Sequence, residues 1–210
     1  MKLLALFTVC VACAAAASAA AAPPPLLHPA AFKAKAPAVY SVSFRTTKGT
    51  FVITVHRAWA PHGADRFYNL ARAHFYDGVS LFRVVPGFVV QFGIGTTTAI
   101  AKAWQHAPIA DDPVTKSNAK GTVTYADAGP KTRTTQVFVN LATNNFLDSQ
   151  GFAPFGVVSS GMNVIAKLYA GYKDKPTADQ FQMIEQGNAF VQKHFPRLDH
   201  IETATLVASH

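Results

Sequence analysis

In the stretch LFRVVPGFVVQFG, from Leu81 to Gly93, two polar side chains, Arg83 and Gln91, stand in a run that is otherwise apolar. A guanidinium stays protonated and a primary amide does not titrate, so neither can serve as nucleophile or general base. Among aromatic and aliphatic neighbours they can bind an apolar ring and place a hydrogen-bond donor beside it. One reaction asks for no more than that: rotation about an X-Pro peptide bond. Its barrier, about 18–20 kcal/mol, comes from delocalisation of the nitrogen lone pair into the carbonyl. A donor that bonds the proline nitrogen as it pyramidalises localises that pair, and does so only in the twisted state. Uncatalysed isomerisation takes about 10–100 s, and a turnover of about 10³ s⁻¹ needs the barrier lowered by about 6–7 kcal/mol.

Other chemistries lack their residues. The sequence contains no G-x-S-x-G, no H-E-x-x-H and no phosphate-binding loop, and Gly93-Ile94-Gly95 does not extend to a dinucleotide fingerprint. The eight histidines never take a metal-ligand spacing, and the two cysteines, Cys10 and Cys13, lie near the N-terminus. No metal and no cofactor is expected. The net charge of +8 is spread over single sites and close pairs, with no run of five basic residues. A mildly basic solvated surface follows, and no nucleic-acid partner.

The elements that must position Arg83 and Gln91 are legible from periodicity. VYSVSFRTTKGTFVITVHR alternates on both sides of Lys48-Gly49, with Val42 and Phe44 before it and Phe51, Ile53 and Val55 after, as a β-hairpin does. In APHGADRFYNLARAHFYDG, Phe67, Leu70, Ala71, His74 and Phe75 recur at helical spacing, Pro61 suits a first turn and Gly78 follows the end. His74 on that stripe reads as a partly buried packing residue. The opening stretch then forms two short strands broken at Pro86-Gly87. Residues 95–118 read as a long polar loop serving function or surface recognition. GTVTYA, QVFVN and FGVVS are further short strands, GMNVIAKLYAGY is a second helix, and TADQFQMIEQGNAFVQKHFPRLDHI is a terminal helix interrupted near Gly187. Many short strands with two packing helices predict a mainly β fold, a closed barrel with helices over its ends.

FRVVPGFVVQFG, GTVTYADAGPKTRTTQVFVN and NNFLDSQGFAPFGVV together strongly resemble the cyclophilin-type peptidyl-prolyl isomerases, over about Val39 to Tyr169. The resemblance implies a closed eight-stranded antiparallel β-barrel capped by two α-helices, with the site on its outer face. It puts the catalytic arginine at Arg83 and its orienting glutamine at Gln91. Phe88, Val89, Phe138 and Leu147 fall on the proline pocket, whose wall is slightly less filled where many members carry methionine at Val89. Gln136 and the backbone of Ala126, Asp127 and Ala128 correspond to the groove that bonds the extended substrate. Phe146 takes a position often held by tryptophan, which implies weak binding of cyclosporin-class cyclic peptides. Phe152 stands near a pocket histidine of many members, with one extra loop residue. Val137 is smaller than the usual aromatic and reads as inward-facing packing. Taken singly, Phe88 and Phe138 are ordinary core residues, Gln136 a strand-edge polar group and Arg83 a salt-bridge arginine. Only their joint spacing points to a site.

The remaining segments set the organisation. Residues 1–22 read as a secretory signal peptide, with one lysine, an apolar run and Ala17-Ser18-Ala19 as cleavage site, too short for a good membrane span. The less favoured alternative makes Cys13 a lipid-bearing first residue. Residues 23–38, rich in Ala and Pro, read as a tether, 39–172 as the isomerase domain and 173–210 as a C-terminal helical extension. The chain is thus expected to be a periplasmic or secreted, monomeric prolyl isomerase with no transmembrane span after signal removal. It would act on proline-containing peptides and assist unfolded exported proteins. The alternative is a proline-peptide binding module or chaperone with incidental catalysis.

Overall fold

The computed structural model describes residues 25–207, so the expected signal peptide lies outside the described residues. Strand β1 (Val39–Thr46) turns directly into β2 (Gly49–His56). Tyr40, Val42, Phe44 and Thr46 alternate inward and meet Phe51, Ile53 and Val55 on the same face. Phe44 and Phe51, directly opposite in the ladder, stack with centroids 5.1 Å apart. Helix α1 (Pro61–Arg72) lays Phe67, Leu70 and Ala71 onto this inner face. Its N-cap, Ala60, supplies no side-chain acceptor, so a distant carboxylate does: Asp112 accepts the N–H groups of His62 and Gly63, each at 2.9 Å. The helix stops at Arg72. His74 follows at φ +57° with an exposed side chain bonded to Asp77, so the expected stripe loses its packing histidine to the chain reversal.

Strands β3 (Arg83–Val85), β4 (Val89–Phe92), β5 (Thr122–Tyr125), β6 (Val137–Asn140), β7 (Pro154–Ser160) and β8 (Ile201–Val207) complete one antiparallel sheet in the order β3-β4-β6-β5-β7-β2-β1-β8. Phe44, Phe51, Phe67, Tyr76, Phe92 and Phe155 fill its concave face. The eight antiparallel strands are as expected, but the sheet curls into a half-barrel and does not close by a continuous ladder. Among the described residues, the two edges approach each other through the isolated bridge between Ser80 and His200, just ahead of β3 and β8, and the backbone bonds around it. β3 is three residues long, and the stretch that meets the start of β8 is residues 78–81, ahead of it in the chain.

Three further expectations are corrected. The segment 95–118 contains helix α2 (Thr98–Gln105), started by the Thr97 hydroxyl accepting the Ile100 N–H, and it buries Ala101 and Trp104. The segment 23–38 is no free tether over its described part. The Leu26 carbonyl accepts from the Trp104 indole at 2.8 Å, Phe32 packs edge-on against that ring, and Ala36 N–H donates to Asp65. The expected C-terminal extension contains the sheet's eighth strand, β8, paired with β1. Short helix α3 (Met162–Ile165) leads to α4 (Gln180–Gln186) and α5 (Asn188–His194), which bury Met183, Phe190 and Val191 against Phe82. The break between α4 and α5 is set by Gly187 at φ +63°, where an added Cβ would come within 2.7 Å of the Thr96 carbonyl.

Candidate active site

The turn between β3 and β4 closes with the Phe88 N–H donating to the Val85 carbonyl at 3.0 Å, with Pro86 entering and Gly87 at φ +75°. Residues with positive φ at that position are almost always glycine, so Pro86-Gly87 fixes the register. Arg83 pairs with Gln91, and Gln91 in turn with Phe138 on β6. Cross-strand partners share a face, so Arg83, Gln91 and Phe138 form one row on the outer side of the sheet. The alternate residues Val84, Val90, Val137 and Val139 face the core.

The row opens into a groove of about 200 Å³ lined by Arg83, Phe88, Val89, Gln91, Ala126, Asp127, Phe138, Leu147 and Phe152, together with Thr177 and Gln180. Val89, Phe138 and Leu147 form a small apolar cluster of their own, with Phe88, Ala126 and Phe152 packed against it. Phe88 is anchored through its carbonyl, which accepts from the Leu141 N–H and the Asn144 side chain. Leu147 rides on a 3-10 turn, Asn145–Gln150, tied down by Asp148. That carboxylate accepts from the Ser117 hydroxyl at 2.6 Å and from the Asn118 backbone and side chain at 2.8 and 2.7 Å. Asn118 also donates to the Phe152 carbonyl. A second groove of about 190 Å³ adjoins the first, lined by Ala126, Asp127, Ala128, Gln136 and Gln180 among others, and shares Gln91 with it.

The polar groups are connected. Arg83 donates from Nη1 to Gln91 Oε1 at 3.2 Å, Gln91 donates from Nε2 to Gln136 Oε1 at 2.9 Å, and Gln136 donates from Nε2 to Gln180 Oε1 at 2.9 Å. The guanidinium lies 5.3 Å from the centre of the Phe88 ring and donates from Nε to Asp174 Oδ1 at 2.6 Å. Asp127 loses hydration in the groove, and this pushes its carboxyl above the ordinary range. A donor-only cation beside an apolar slot can bind a ring and meet a lone pair that appears next to it. It cannot carry out hydrolysis.

All but three of the site residues expected from sequence line the first groove. Gln136 and Ala128 line the second. Phe146 lines neither groove; it is 53% exposed and stacks over the outer side of Phe88 at 6.2 Å. The reading from sequence missed Asp174, Thr177 and Gln180. Their segment looked like the start of an appendage, and no local pattern marks it as a wall of the site.

The family model described as cyclophilin type peptidyl-prolyl cis-trans isomerase matches residues 41–187. A peptidyl-prolyl cis-trans isomerase of Acinetobacter baylyi is 34% identical over 141 residues, covering 64% of this chain and 74% of that protein. A peptidyl-prolyl cis-trans isomerase-like 1 protein of Rhizopus delemar is 34% identical, covering 59% of this chain and 76% of its own. Among solved structures, a cyclophilin from Hirschia baltica superposes with a TM-score of 0.59 at 18% identity, covering 81% of this chain and 74% of that one. A cyclophilin-type isomerase of Cryptosporidium parvum gives 0.56 at 14% identity, covering 82% and 99%.

Proposed function

The chain belongs to the cyclophilin-type peptidyl-prolyl cis-trans isomerases, and from that premise we propose that Arg83 is its catalytic donor and that its clients are exported proteins. It catalyses rotation about X-Pro bonds in proline-containing peptides. Phe88, Val89, Phe138, Leu147 and Phe152 hold the proline ring in the first groove, and Gln136 with the backbone of Ala126, Asp127 and Ala128 binds the extended chain beside it. As the peptide bond twists, the proline nitrogen pyramidalises and its lone pair becomes an acceptor. The guanidinium, held by Gln91, meets that pair and gives no comparable bond to the planar ground state. No covalent bond forms or breaks, so no general base is required.

The observation that carries this reading is the Arg83 guanidinium fixed by Gln91 at the wall of a groove of about 200 Å³ whose apolar side is Phe88, Val89, Phe138, Leu147 and Phe152. Export is supported by the signal-like residues 1–22, with Ala17-Ser18-Ala19 as cleavage site. The mature protein is then periplasmic or secreted, and monomeric. Among the described residues no helix is long and apolar enough to cross a membrane.

Two measurements on one sample test the proposal. Protein expressed with its own N-terminus and recovered from the cell envelope or medium should begin near residue 20 by intact mass, and should accelerate isomerisation of an X-Pro tetrapeptide. A chain retaining Met1 and Lys2 in the cytoplasm overturns export. A lipid-sized mass at Cys13 replaces free export with anchoring. A recovered, folded protein that leaves the peptide's rate unchanged overturns the role of Arg83.

A further inference from the structure

The segment between α3 and α4 crosses the sheet's outer face at the active site, although it begins more than 80 residues after Arg83 in the chain. Its first contact is with the cation. Asp174 Oδ1 accepts from Arg83 Nε, on the opposite edge of the guanidinium from the bond to Gln91. Its second is with the peptide-binding amide: Gln180 Oε1 accepts from Gln136 Nε2. Gln180 lines both grooves and so stands at their junction.

The orientation of the bonds follows from the cation. Arginine only donates, so Gln91 must turn its oxygen to Arg83 and its NH₂ to Gln136. Gln136 then presents its oxygen to Gln91 and its NH₂ outward, and an acceptor is needed there to hold it. Gln180 is that acceptor. Three bonds therefore run in one direction, from Arg83 through Gln91 and Gln136 to the acceptor Gln180, and such aligned bonds polarise and strengthen one another.

These contacts leave the site's donors free. Of the five N–H groups of a guanidinium, Asp174 and Gln91 take one each. Nη2 carries no hydrogen bond among the described residues, so it and the second N–H of Nη1 remain for an incoming group. Gln136 keeps its second N–H. The segment holds the machinery in place and does not occupy it.

We propose that Asp174 and Gln180 are positioning residues of the isomerase site, Asp174 for Arg83 and Gln180 for Gln136. The inference rests on the assignment of Arg83 as the catalytic donor. Because Arg83 acts only on the twisted state, loss of Asp174 appears in kcat. Gln136 binds the extended peptide in ground and twisted states alike, so loss of Gln180 appears in KM.

The test is steady-state isomerisation of an X-Pro tetrapeptide by the full-length mature chain and its variants, each with a thermal midpoint. Asp174→Ala should lower kcat about fivefold, near the upper range for a solvent-exposed ion pair, with KM unchanged. Asp174→Asn, which keeps an acceptor oxygen, should restore most of the loss. Gln180→Ala should raise KM severalfold at unchanged kcat, and Gln180→Glu should restore it. The inference is overturned if Asp174→Ala or Gln180→Ala matches or exceeds the parent. It is equally overturned if kcat and KM move only in proportion to a fall in the thermal midpoint. Arg83→Ala in the same series separates the two readings. If Arg83→Ala is inactive while the Asp174 and Gln180 variants match the parent, only this inference fails. If Arg83→Ala stays active, the assignment of Arg83 fails.

Discussion

Gln91 stands directly opposite Arg83 across the β3–β4 ladder, and its Oε1 accepts from Arg83 Nη1 at 3.2 Å. The two strands turn back at Pro86-Gly87, so a pairing eight residues apart in sequence becomes one cross-strand contact. The next ladder places Phe138 beside Gln91. The cation, its partner glutamine and a groove wall thus lie in one row, and the register of two antiparallel pairings, one a hairpin and one long-range, sets their spacing.

Arg83→Ala should lower kcat/KM by about 10²–10³-fold, the range for removing one preorganised donor to a transition state. Its side chain packs in no core cluster, so the thermal midpoint should hold. Arg83→Lys supplies one point charge in place of a planar fork and should recover little. The check is an isomerisation assay beside a melting curve, and full activity in Arg83→Ala would refute the mechanism.

Phe146 covers the outer side of Phe88 from an exposed position. A phenyl ring has no N–H to offer a carbonyl of a bound ligand, whereas an indole has one. Cyclosporin-class cyclic peptides should therefore bind weakly to the parent and more tightly to Phe146→Trp, with isomerase activity little changed. Titration calorimetry on the two proteins measures the difference.

Asp148 links the Leu147 turn to Ser117 and Asn118. Desolvation alone would raise its carboxyl, but the three donors outweigh that and hold it below the ordinary range. A group lowered in the folded state contributes stability above its unfolded value, about 3.9, that is lost as pH falls through the folded value. The stability advantage of the parent over Asp148→Asn should therefore be full at about pH 6 and shrink towards about pH 3. Urea midpoints at the two pH values check the sign. A gap that widens on acidification would contradict it.

Deleting residues 25–37 from the mature chain should cost about 2–4 kcal/mol, from lost packing on Trp104 and an indole N–H left without its acceptor. The same deletion strips Asn69 of its bonds to Ala34 and Asp65 of its bond to Ala36. Denaturant melts of the two chains decide it. An unchanged midpoint would return this segment to the status of a tether.

Most of the sheet was legible from sequence because it is recorded in local alternation, whereas the residues that line the first groove were legible only through the joint spacing of three motifs and the family they resemble. Within β4, Val89 and Gln91 point one way and Val90 and Phe92 the other, and the same parity on β6 separates Phe138 from Val137 and Val139. An arginine or glutamine on the outward parity of an apolar strand stands out without any knowledge of its partners. Helix α2 was harder to see. Its Ala-rich turn buries only Ala101 and Trp104, and the partners that make Trp104 a core residue, Phe32 and Leu26, lie some 70 residues earlier.

The sequence by itself therefore determined the strand parity, the Pro86-Gly87 turn and the pairing of Arg83 with Gln91, since each follows from sterics and burial within a few residues. Only the tertiary structure decided that β6 brings Phe138 beside Gln91, that β8 completes the sheet beside β1, that residues 25–36 dock on α1 and α2, and that Asp174 and Gln180 reach the groove beside Arg83. Periodicity reports that a face is buried, not what buries it. An exposed aspartate such as Asp174 fits any solvated surface equally well, until the fold brings its carboxylate to within 2.6 Å of Arg83.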